Sequence, residues 1–465
     1  MRAHGLLLVM LVGLAACRPP SSQEPEPPAP PWSPGTVYPT ARSPSVRGYL
    51  DRRGLIHAHS VYSHDACDGE PRDPETDAID EQCLDDFRQG LCATQHDFIF
   101  LSDHSESFAR SEFPDVLLHR ASEGDVLLER EGRPVANWLH CQSGWQSLVM
   151  AGAETKYMPV GLERHVSDSV ARREEVYGSA TPEHARAVRE AGGVVLVAHT
   201  EDWTAEELAS LPIDGFEMYN THANLFLRIG EALQLIADLD TPEVLPHPDL
   251  VFLPLWSEDP RYVDTWGQVL SRGVRRVTTL GTDCHRNTFR DLLPDGERID
   301  SYRRMMLWFS NHLLVRPNPD GGFDDRALKE ALRAGRLYGA FEYLGYPVGF
   351  DFHAEAGSTV TEMGGTVSLS DAPRLVVAAP TVQNLDPAVR PPEIEVRLLR
   401  ATESGWEEVA REAGDLSVRP EVPGAYRAEV RMRPYHLLDD LGAYDERALD
   451  ERFVWIYANP IYVAP

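Results

Sequence analysis

Nine side chains of the types that bind metal ions stand at the ends of apolar, strand-like runs of this chain. The first run, GLIHAH (54–59), closes on two histidines, and later runs close in the same way on His104, His165, His199 and His285, with Asp103, Glu154 and Asp283. Residues two apart on a strand point the same way, about 6 to 7 Å apart, so His57 and His59 can reach one metal cluster. Imidazole and carboxylate groups are the usual ligands of Zn, Mn and Fe. The pattern therefore predicts a site for two or three divalent ions at one rim of a barrel.

The elements that must position these ligands alternate between strand-like and helix-like stretches. The apolar runs cover residues 54–59, 97–103, 147–154, 160–166, 193–199, 213–219 and 275–283. Between them, the segment TPEHARAVREAGG (181–193) has a Thr cap, Pro in the first turn and a Gly stop, which are typical of a helix. Strands that alternate with helices build a parallel sheet. Seven of them, with ligands at their C-terminal ends, predict an α/β fold, a distorted seven-stranded (β/α) TIM-like barrel.

The texture of the chain changes after about Gly345. Segments such as EIEVRLLRA and AYRAEVRMR alternate apolar and polar residues, and Pro, Gly and Asp separate them. This alternation is typical of antiparallel strands. We therefore expect a barrel over residues 47–345 and a small β-sandwich over 346–465.

Residues 1–17 have the pattern of a bacterial lipoprotein signal peptide. Arg2 is followed by an apolar stretch over 6–14 and by the box Leu14-Ala15-Ala16-Cys17, and this stretch is too short to span a bilayer. We expect a lipid on Cys17, a Pro-rich tether over 18–46, and a lipid-anchored protein in the bacterial cell envelope, on the periplasmic face of the outer membrane. An ordinary secretory signal is the alternative.

The cysteines fit an exported protein, because export leads to an oxidising compartment. Cys67, Cys83, Cys92 and Cys141 are candidates for disulfides and allow three pairings. We expect one bridge inside the polar insertion 66–92, which lacks apolar periodicity. Cys284, between two candidate ligands, is expected to be a small buried filler, with a thiolate ligand as the alternative.

The charge of the chain limits its partners. Lys and Arg total 44 and Asp and Glu total 73, which gives a formal net charge of -29. Such a surface repels nucleic acid and anionic membranes. We therefore expect a small-molecule substrate, no nucleic acid, and membrane contact through the lipid anchor only.

The ordered set of motifs HAHSVYSHD, LSDHSES, GAETKY, LERHV, VAHT, EMYN and GTDCH resembles the PHP superfamily, named for the polymerase and histidinol phosphatase domains. These motifs fall within residues 47–345. The later segments ALRAGRLYGAF (331–341) and WIYANPIYV (455–463) resemble the exported, carbaryl-hydrolase-like branch of that superfamily.

The resemblance implies a role for each ligand. The first metal would be held by His57, His59, Glu154 and Asp283, and the second by Glu154, His165 and His199, with Glu154 as the bridge. A third would be held by His104 and His285 with a residue from the first loop, either His64 or Asp65; we favour Asp65. Asp103 would orient a ligand histidine. Glu154, Asp283 and His199 would thus carry the catalytic metals.

The resemblance also implies an activity, the metal-dependent hydrolysis of a phosphate ester by a metal-bridged hydroxide. Three basic residues near the ligands are candidates to stabilise phosphoryl oxygens: Lys156, Arg164 and Arg286. Asn220 and His222 follow a predicted strand and are candidates to touch substrate. Two alternatives stay open: a carbamate, ester or amide hydrolase with the same metals, and a metal-dependent binding lipoprotein without turnover.

Overall fold

The computed structural model describes residues 30–40, 43, 45–444 and 450–465. The predicted signal peptide, Cys17 and much of the tether lie outside these residues. Within them, no helix combines the length and the apolar character needed to cross a bilayer.

Within the described part of the chain, the first 340 residues contain twelve strands and ten α-helices. The strands are β1 Leu50–Ala58, β2 Phe98–Phe100, β3 Asp103–His104, β4 Val126–Arg130, β5 Arg133–His140, β6 Gln146–Glu154, β7 Met158–Leu162, β8 Val194–Leu196, β9 Gly215–Asn220, β10 Val277–Cys284, β11 Ser310–Val315 and β12 Leu337–Ala340. The helices are α1 Glu81–Thr94, α2 Ser105–Arg110, α3 Val170–Tyr177, α4 Pro182–Glu190, α5 Ala205–Ser210, α6 Thr221–Leu227, α7 Ile229–Asp238, α8 Pro260–Ser271, α9 Tyr302–Met306 and α10 Asp325–Ala334.

The strands in the segments that carry the candidate ligands pair with one another. β1 pairs in parallel with β10 and β2, β2 with β6, and β9 with β10. β7 pairs with β6 and β8, and backbone bonds from Val197 to Gly215 (3.1 Å) and from Glu217 to Val197 (2.9 Å) join the end of β8 to β9. Each of the predicted apolar runs overlaps one of these strands.

One strand departs from the predicted parallel arrangement. β7 is antiparallel to both β6 and β8. Only residues 155–157 separate it from β6. A connection this short can join antiparallel neighbours only, because a parallel crossover needs a dozen or more residues. β7 therefore begins, rather than ends, beside the Glu154 end of β6.

The remaining strands form a four-stranded sheet and a two-stranded sheet, and the others join the large sheet of β1–β12. The remaining strands are β13 Pro347–Val348, β14 Asp351–Ala356, β15 Thr359–Glu362, β16 Thr366–Ser368, β17 Arg374–Ala378, β18 Thr381–Val382, β19 Glu393–Thr402, β20 Gly405–Glu412, β21 Leu416–Val418, β22 Gly424–Arg433, β23 Phe453–Ala458 and β24 Ile461–Ala464. One sheet has the order β15-β14-β17-β21, and β13 pairs with β18 separately. In the large sheet, β19 pairs with β20 and β22, and β22 pairs with β23 and β24.

Several C-terminal strands belong to the same large sheet as β1–β12. This arrangement differs from the separate sandwich that the sequence predicts. β12 pairs antiparallel with β23, from Tyr338 opposite Ala458 to Ala340 opposite Ile456. The Trp455 indole donates a hydrogen bond to the Gly345 carbonyl at 2.8 Å. The predicted boundary at 345 thus does not divide one sheet from another.

Strands at the centre of the molecule are buried on both faces. Leu55 and Ile56, neighbours on β1, enter two different apolar clusters, and so do Ile99 and Phe100 on β2. Neighbouring residues of a strand point to opposite faces, so this division is expected of strands covered on both sides.

A buried polar group joins β1 to β11 and to the segment after β12. The His312 ring lies 2.9 Å from Asp51 Oδ1 and 3.2 Å from Glu342 Oε1. Burial alone would lower the pKa of His312, but these two carboxylates raise it to about 9. Glu342 is also paired with Arg53 at 2.5 Å.

Both disulfides involve the predicted cysteines. Cys67 is bonded to Cys83, which confirms the bridge expected inside the insertion, and Cys92 of α1 is bonded to Cys141. Cys284 is a buried free thiol, and burial raises its pKa to about 12. Cys284 is in none of the candidate ligand groups formed by the described residues, which agrees with its expected role as a small buried filler.

Candidate metal centre

Four buried side chains from β1, β6 and β10 and the loop after β1 converge on one point. They are His57, His59, Glu154 and Asp283. The Nε2 atom of His57 lies 3.1 Å from Asp283 Oδ1 and 3.4 Å from Glu154 Oε1. The Nε2 atom of His59 lies 3.2 Å from the same Asp283 oxygen and 3.3 Å from Glu154 Oε2.

The converging atoms lack the hydrogen bonds that buried polar atoms normally make. The Nε2 atoms of His57, His59 and His285 and the Oδ1 atom of Asp283 are all buried, and none of them makes a hydrogen bond. Unsatisfied buried polar atoms are rare in folded proteins. Nitrogens and a carboxylate oxygen that lie together in such groups are donors that divalent cations would satisfy.

A second group lies beside the first. Asp65 Oδ2 is 3.0 Å from His104 Nε2 and 3.1 Å from His285 Nε2, and His59 is close enough to share an ion with them. The Ser63 hydroxyl donates to Asp65 Oδ1 at 2.9 Å. Of the two first-loop candidates, Asp65 thus faces the cluster.

His64, the other candidate, is exposed, and its ring lies 4.8 Å from that of His104. It belongs to a different cleft that includes Arg72 and Arg110. This arrangement agrees with our preference for Asp65 as a ligand, which stays a prediction.

Two further histidines border the carboxylates. His199 Nε2 lies 2.9 Å from Glu154 Oε1, and His222 Nδ1 lies 3.3 Å from Asp283 Oδ2. The Glu154 carboxylate therefore has histidines on both oxygens, as a bridging ligand requires. His199 was among the predicted ligands, whereas His222 was expected only to touch substrate.

Three of the candidate ligands hold a backbone conformation that side chains other than glycine rarely adopt. The φ angles are 74° at His57, 49° at His199 and 53° at Asp283. Such strain persists only where the surroundings enforce it, and it is concentrated at functional sites.

The prediction of His165 as a ligand is corrected by the structure. Its Nε2 lies 2.9 Å from the Ser111 carbonyl and its Nδ1 lies 3.1 Å from the Tyr177 hydroxyl, and its ring packs against Phe108 and Phe113. The cause is the direction of β7. Leu162 pairs with Ala151, so the chain after β7 has already moved back along β6, away from Glu154.

Glu217 of β9 holds a ligand in place, and the sequence reasoning missed this role. Its Oε1 lies 2.5 Å from His57 Nδ1, and its Oε2 accepts hydrogen bonds from the His199 backbone (3.2 Å) and from the Asn220 side chain (3.3 Å). Asn220 also donates to Asp283 Oδ2 at 3.1 Å. A charged residue inside the apolar run GFEMYN was the available signal.

Asp103 contacts Ser60, the residue that follows His59, and its expected role in orienting a ligand histidine stays a prediction. Its two oxygens accept hydrogen bonds from the backbone and the hydroxyl of Ser60, at 2.6 and 3.0 Å. Burial raises the pKa of Asp103 to about 6. Asp103 therefore fixes the loop that begins after His59.

The basic residues proposed for phosphoryl oxygens are placed differently. Arg164 donates to the Glu190 carbonyl at 2.6 Å and lines a separate cleft with Arg130 and Arg189. Arg286 is paired with Asp86 at 2.9 Å. Lys156 is exposed in the turn between β6 and β7. The two arginines thus contact other groups, and their expected role at phosphoryl oxygens stays a prediction.

The electrostatics of the cluster favour bound positive charge. Burial would raise the pKa values of Glu154 and Asp283, but the surrounding histidines hold both well below their usual range. Burial would likewise lower the pKa values of His59 and His199, yet the carboxylates raise them to about 9 and about 11. Protons on these histidines balance the carboxylates, and divalent ions would replace the protons.

No family model and no curated protein sequence matches this chain. Two solved structures are similar to it. One is a two-domain protein containing a predicted PHP-like metal-dependent phosphoesterase from Bacteroides vulgatus, with 11% identity, a TM-score of 0.34, and coverage of 91% of this chain and 99% of that chain. The other is the lesion-specific endonuclease PfuEndoQ from Pyrococcus furiosus, with 11% identity, a TM-score of 0.32, and coverage of 68% and 64%.

Proposed function

We propose that this protein is a metal-dependent hydrolase of the PHP type that cleaves phosphate esters. The observation that carries the proposal is the set of buried, unsatisfied atoms on His57, His59, Asp283 and His285, which belong to adjoining groups of possible metal ligands. Two or three divalent ions, Zn, Mn or Fe, are the cofactors that this donor set fits.

The ligand sets follow from the distances. His57, His59, Glu154 and Asp283 would hold one ion, and Asp65, His104 and His285, with His59 beside them, another. Of the three residues predicted to hold the second metal, Glu154 and His199 lie in the cluster and His165 does not. His222 adds a nitrogen beside Asp283.

Bound at this site, divalent ions would supply a water that ionises near neutral pH and would neutralise phosphoryl oxygens. The residues of the chain hold and orient these ligands. Glu217 fixes the ring of His57, and Asn220 fixes the carboxylate of Asp283. In the overall reaction the water oxygen bonds to phosphorus, the phosphorus–oxygen ester bond breaks, and the alcohol leaves with a proton.

A carbamate, ester or amide hydrolase is the second candidate, and the basic residues favour it. Arg164 and Arg286 are hydrogen-bonded or paired away from the cluster. The same metals could polarise a planar, uncharged carbonyl without help from a guanidinium.

Substrates that share one leaving group separate these activities. The purified enzyme, loaded with Mn or Zn, is assayed with bis(4-nitrophenyl) phosphate, 4-nitrophenyl phosphate and 4-nitrophenyl N-methylcarbamate. We expect the highest kcat/KM with a phosphate ester, loss of activity in His59→Gln, and retained activity in the exposed neighbour His64→Gln. Stoichiometric metal with no turnover of any ester would instead indicate a binding protein.

We also propose that the substrate is a small molecule and not a nucleic acid, since the net charge is -29. Incubation of the metal-loaded enzyme with single-stranded and duplex DNA tests this. Cleavage at a rate comparable to that of the small esters would contradict it.

For localisation, we propose a lipid anchor on Cys17 in the cell envelope, from the Leu-Ala-Ala-Cys box. Expression of Cys17→Ala should move the protein from the membrane fraction to the soluble fraction. Unchanged partition would remove this proposal.

A further inference from the structure

A small cavity lies at the opposite end of the strands from the metal-ligand cluster. It is lined by Asp214, directly before β9, by Arg275 and Arg276, the two residues before β10, and by Gly335, which follows α10. Asp283 lies seven residues after Arg276 along β10, which corresponds to roughly 20 Å at about 3.3 Å per residue. The cavity is therefore separate from the candidate metal centre.

Positive charge is in excess around this cavity. Three arginine side chains line it, and they are Arg275, Arg276 and Arg333. The carboxylate of Asp214 also lines it, but its oxygens accept hydrogen bonds from Arg189 (3.1 Å) and from the Val195 backbone (2.8 Å). Asp214 thus offsets the charge of Arg189. In the described part of the chain, no carboxylate forms an ion pair with the three lining arginines, although the formal net charge of the chain is -29.

Arg276 and Arg333 donate hydrogen bonds to backbone carbonyls. Arg276 donates to the carbonyls of Leu208 and Ala209 at 3.2 and 2.9 Å, and Arg333 donates to that of Gly193 at 2.9 Å. Carbonyl groups carry only partial negative charges. These bonds therefore fix the two guanidinium groups but do not neutralise them.

The pKa values of the two arginines agree with this lack of a full negative charge. Burial lowers the pKa of Arg276 and that of Arg333. Burial also acts on Arg303, but there the carboxylates of Glu297 and Asp249 outweigh it and raise the pKa. An anion bound in the cavity would act on Arg276 and Arg333 as these carboxylates act on Arg303.

Arg275 is accessible to a ligand that enters from solvent. It is exposed, and its Cζ atom lies 4.8 Å from the centre of the Tyr462 ring. The Tyr462 hydroxyl accepts a hydrogen bond from the Arg276 backbone at 3.3 Å, which holds the ring in place. The five N–H donors of a guanidinium group form a planar fork that matches the oxygens of a phosphate. Arg275 thus offers these donors beside a fixed surface.

The cavity has room for one small anion. Its volume is about 120 Å³, and a water molecule occupies roughly 30 Å³ in the liquid. Gly335 and Gly364 form part of its wall, with φ angles of 73° and 77°. A side chain at Gly364 would clash with the Ala334 carbonyl oxygen, so only backbone closes the wall there. A phosphate group fits a space of this size.

We propose that this cavity binds a phosphate-type oxyanion, either inorganic phosphate or the phosphate of a small monoester. Arg275 would contact the anion directly, and Arg276 and Arg333 would supply the surrounding positive charge. The site goes beyond the function proposed above and does not depend on it, because roughly 20 Å of β10 separates it from the metal ligands.

Calorimetric titration with inorganic phosphate tests the site in metal-loaded protein that has been freed of excess metal. Phosphate should bind at two places, the metals and the cavity, and His59→Gln should remove only the first. In either background, Arg275→Gln should weaken binding at the cavity about tenfold or more, as expected for the loss of a charge-assisted hydrogen bond. Arg275→Glu reverses the charge and should abolish binding there.

The matched control is Arg272→Gln, because Arg272 is exposed nearby in the chain and does not line the cavity. Its phosphate binding should equal that of the wild type. The Arg275 variants should also leave kcat/KM for ester hydrolysis, and the inhibition of hydrolysis by phosphate, unchanged. Phosphate binding that depends on Arg275, in a protein that hydrolyses no ester, would support the cavity and contradict the proposed function.

A parallel titration with sn-glycerol 3-phosphate identifies the source of the phosphate. Tighter binding of this monoester than of inorganic phosphate would indicate a small ester, and the reverse order would indicate the free ion; either order supports the site. Phosphate binding that disappears completely in folded His59→Gln would overturn the proposal. Equal binding at both places in the wild type and in folded Arg275→Gln and Arg275→Glu would overturn it as well.

Discussion

Glu154→Gln should weaken two metal sites at once. Oε1 of Glu154 lies 2.9 Å from His199 Nε2 and 3.4 Å from His57 Nε2, and Oε2 lies 3.3 Å from His59 Nε2. Each oxygen therefore faces the ligands of an ion. Glutamine keeps the shape of the side chain but removes the negative charge, so both ions would lose their shared anionic ligand.

The magnitude follows from linkage. A metal present at 100 times its dissociation constant stabilises the fold by about 2.7 kcal/mol per site. If the substitution weakens a site about a hundredfold, the same concentration stabilises it by only about 0.4 kcal/mol. Two affected sites thus lose about 4.6 kcal/mol, and one site loses about 2.3 kcal/mol.

Calorimetry distinguishes the two cases. The entropy of unfolding is about 2.1 cal/mol/K per residue. For a chain of 465 residues, a change of about 1 kcal/mol in the free energy of unfolding therefore shifts Tm by roughly 1 °C. The metal-induced rise in Tm should therefore be about 5 °C smaller in Glu154→Gln than in the wild type. After gel filtration has removed the weakly bound metal, elemental analysis should show a loss of more than one equivalent.

The matched control is Glu163→Gln. Glu163 is paired with Lys329 at 2.8 Å, outside the cluster, so its metal-induced rise in Tm should equal that of the wild type. A deficit of only about 2 °C in Glu154→Gln, with one equivalent lost, would show that Glu154 is an ordinary terminal ligand.

Three further predictions concern other parts of the molecule. Asp65→Ala should lower the bound metal by one equivalent and His64→Ala should not; if neither does, the third ion is absent. Glu217→Gln should weaken metal binding about 10- to 100-fold in competition with a chromogenic chelator, because it loosens the histidine it holds at 2.5 Å, and unchanged affinity would contradict this role. The pKa of His312 is raised to about 9, above its unfolded value of about 6.5. The protonated ring therefore contributes fully to the free energy of unfolding below pH 6.5, and this contribution is lost as the pH rises to 9. The free energy of unfolding should fall by up to about 3 kcal/mol over that window, and an equal fall in His312→Gln would refute this origin.

Most residues of the candidate site could be predicted from the sequence, because their immediate neighbours in the chain mark them. A ligand at the end of an apolar run marks both a strand and its direction, and His57, Glu154 and Asp283 were found in this way. His165 was misplaced because the run 160–166 was read as a parallel strand. The three residues between Glu154 and β7 leave no room for a crossover, so the necessary information was present in the length of the connection.

Contacts distant in sequence could not be read in the same way. Glu217 meets His57 across 160 residues, and nothing near either residue specifies the pairing. The alternation of apolar residues after Gly345 predicted strands correctly, but it does not say which strand lies beside which. The pairing of Tyr338 with Ala458 therefore came only from the structure.

That pairing bears on where the chain can be cut. A chain ending at residue 345 would leave β12 as an uncovered edge, with the Tyr338–Ala340 backbone groups that now bond to β23 open to other molecules. Uncovered edges of buried, apolar strands recruit strands from neighbouring chains. We therefore expect a chain cut at residue 345 to aggregate, so a fragment that is to keep the candidate metal centre folded should include the C-terminal strands.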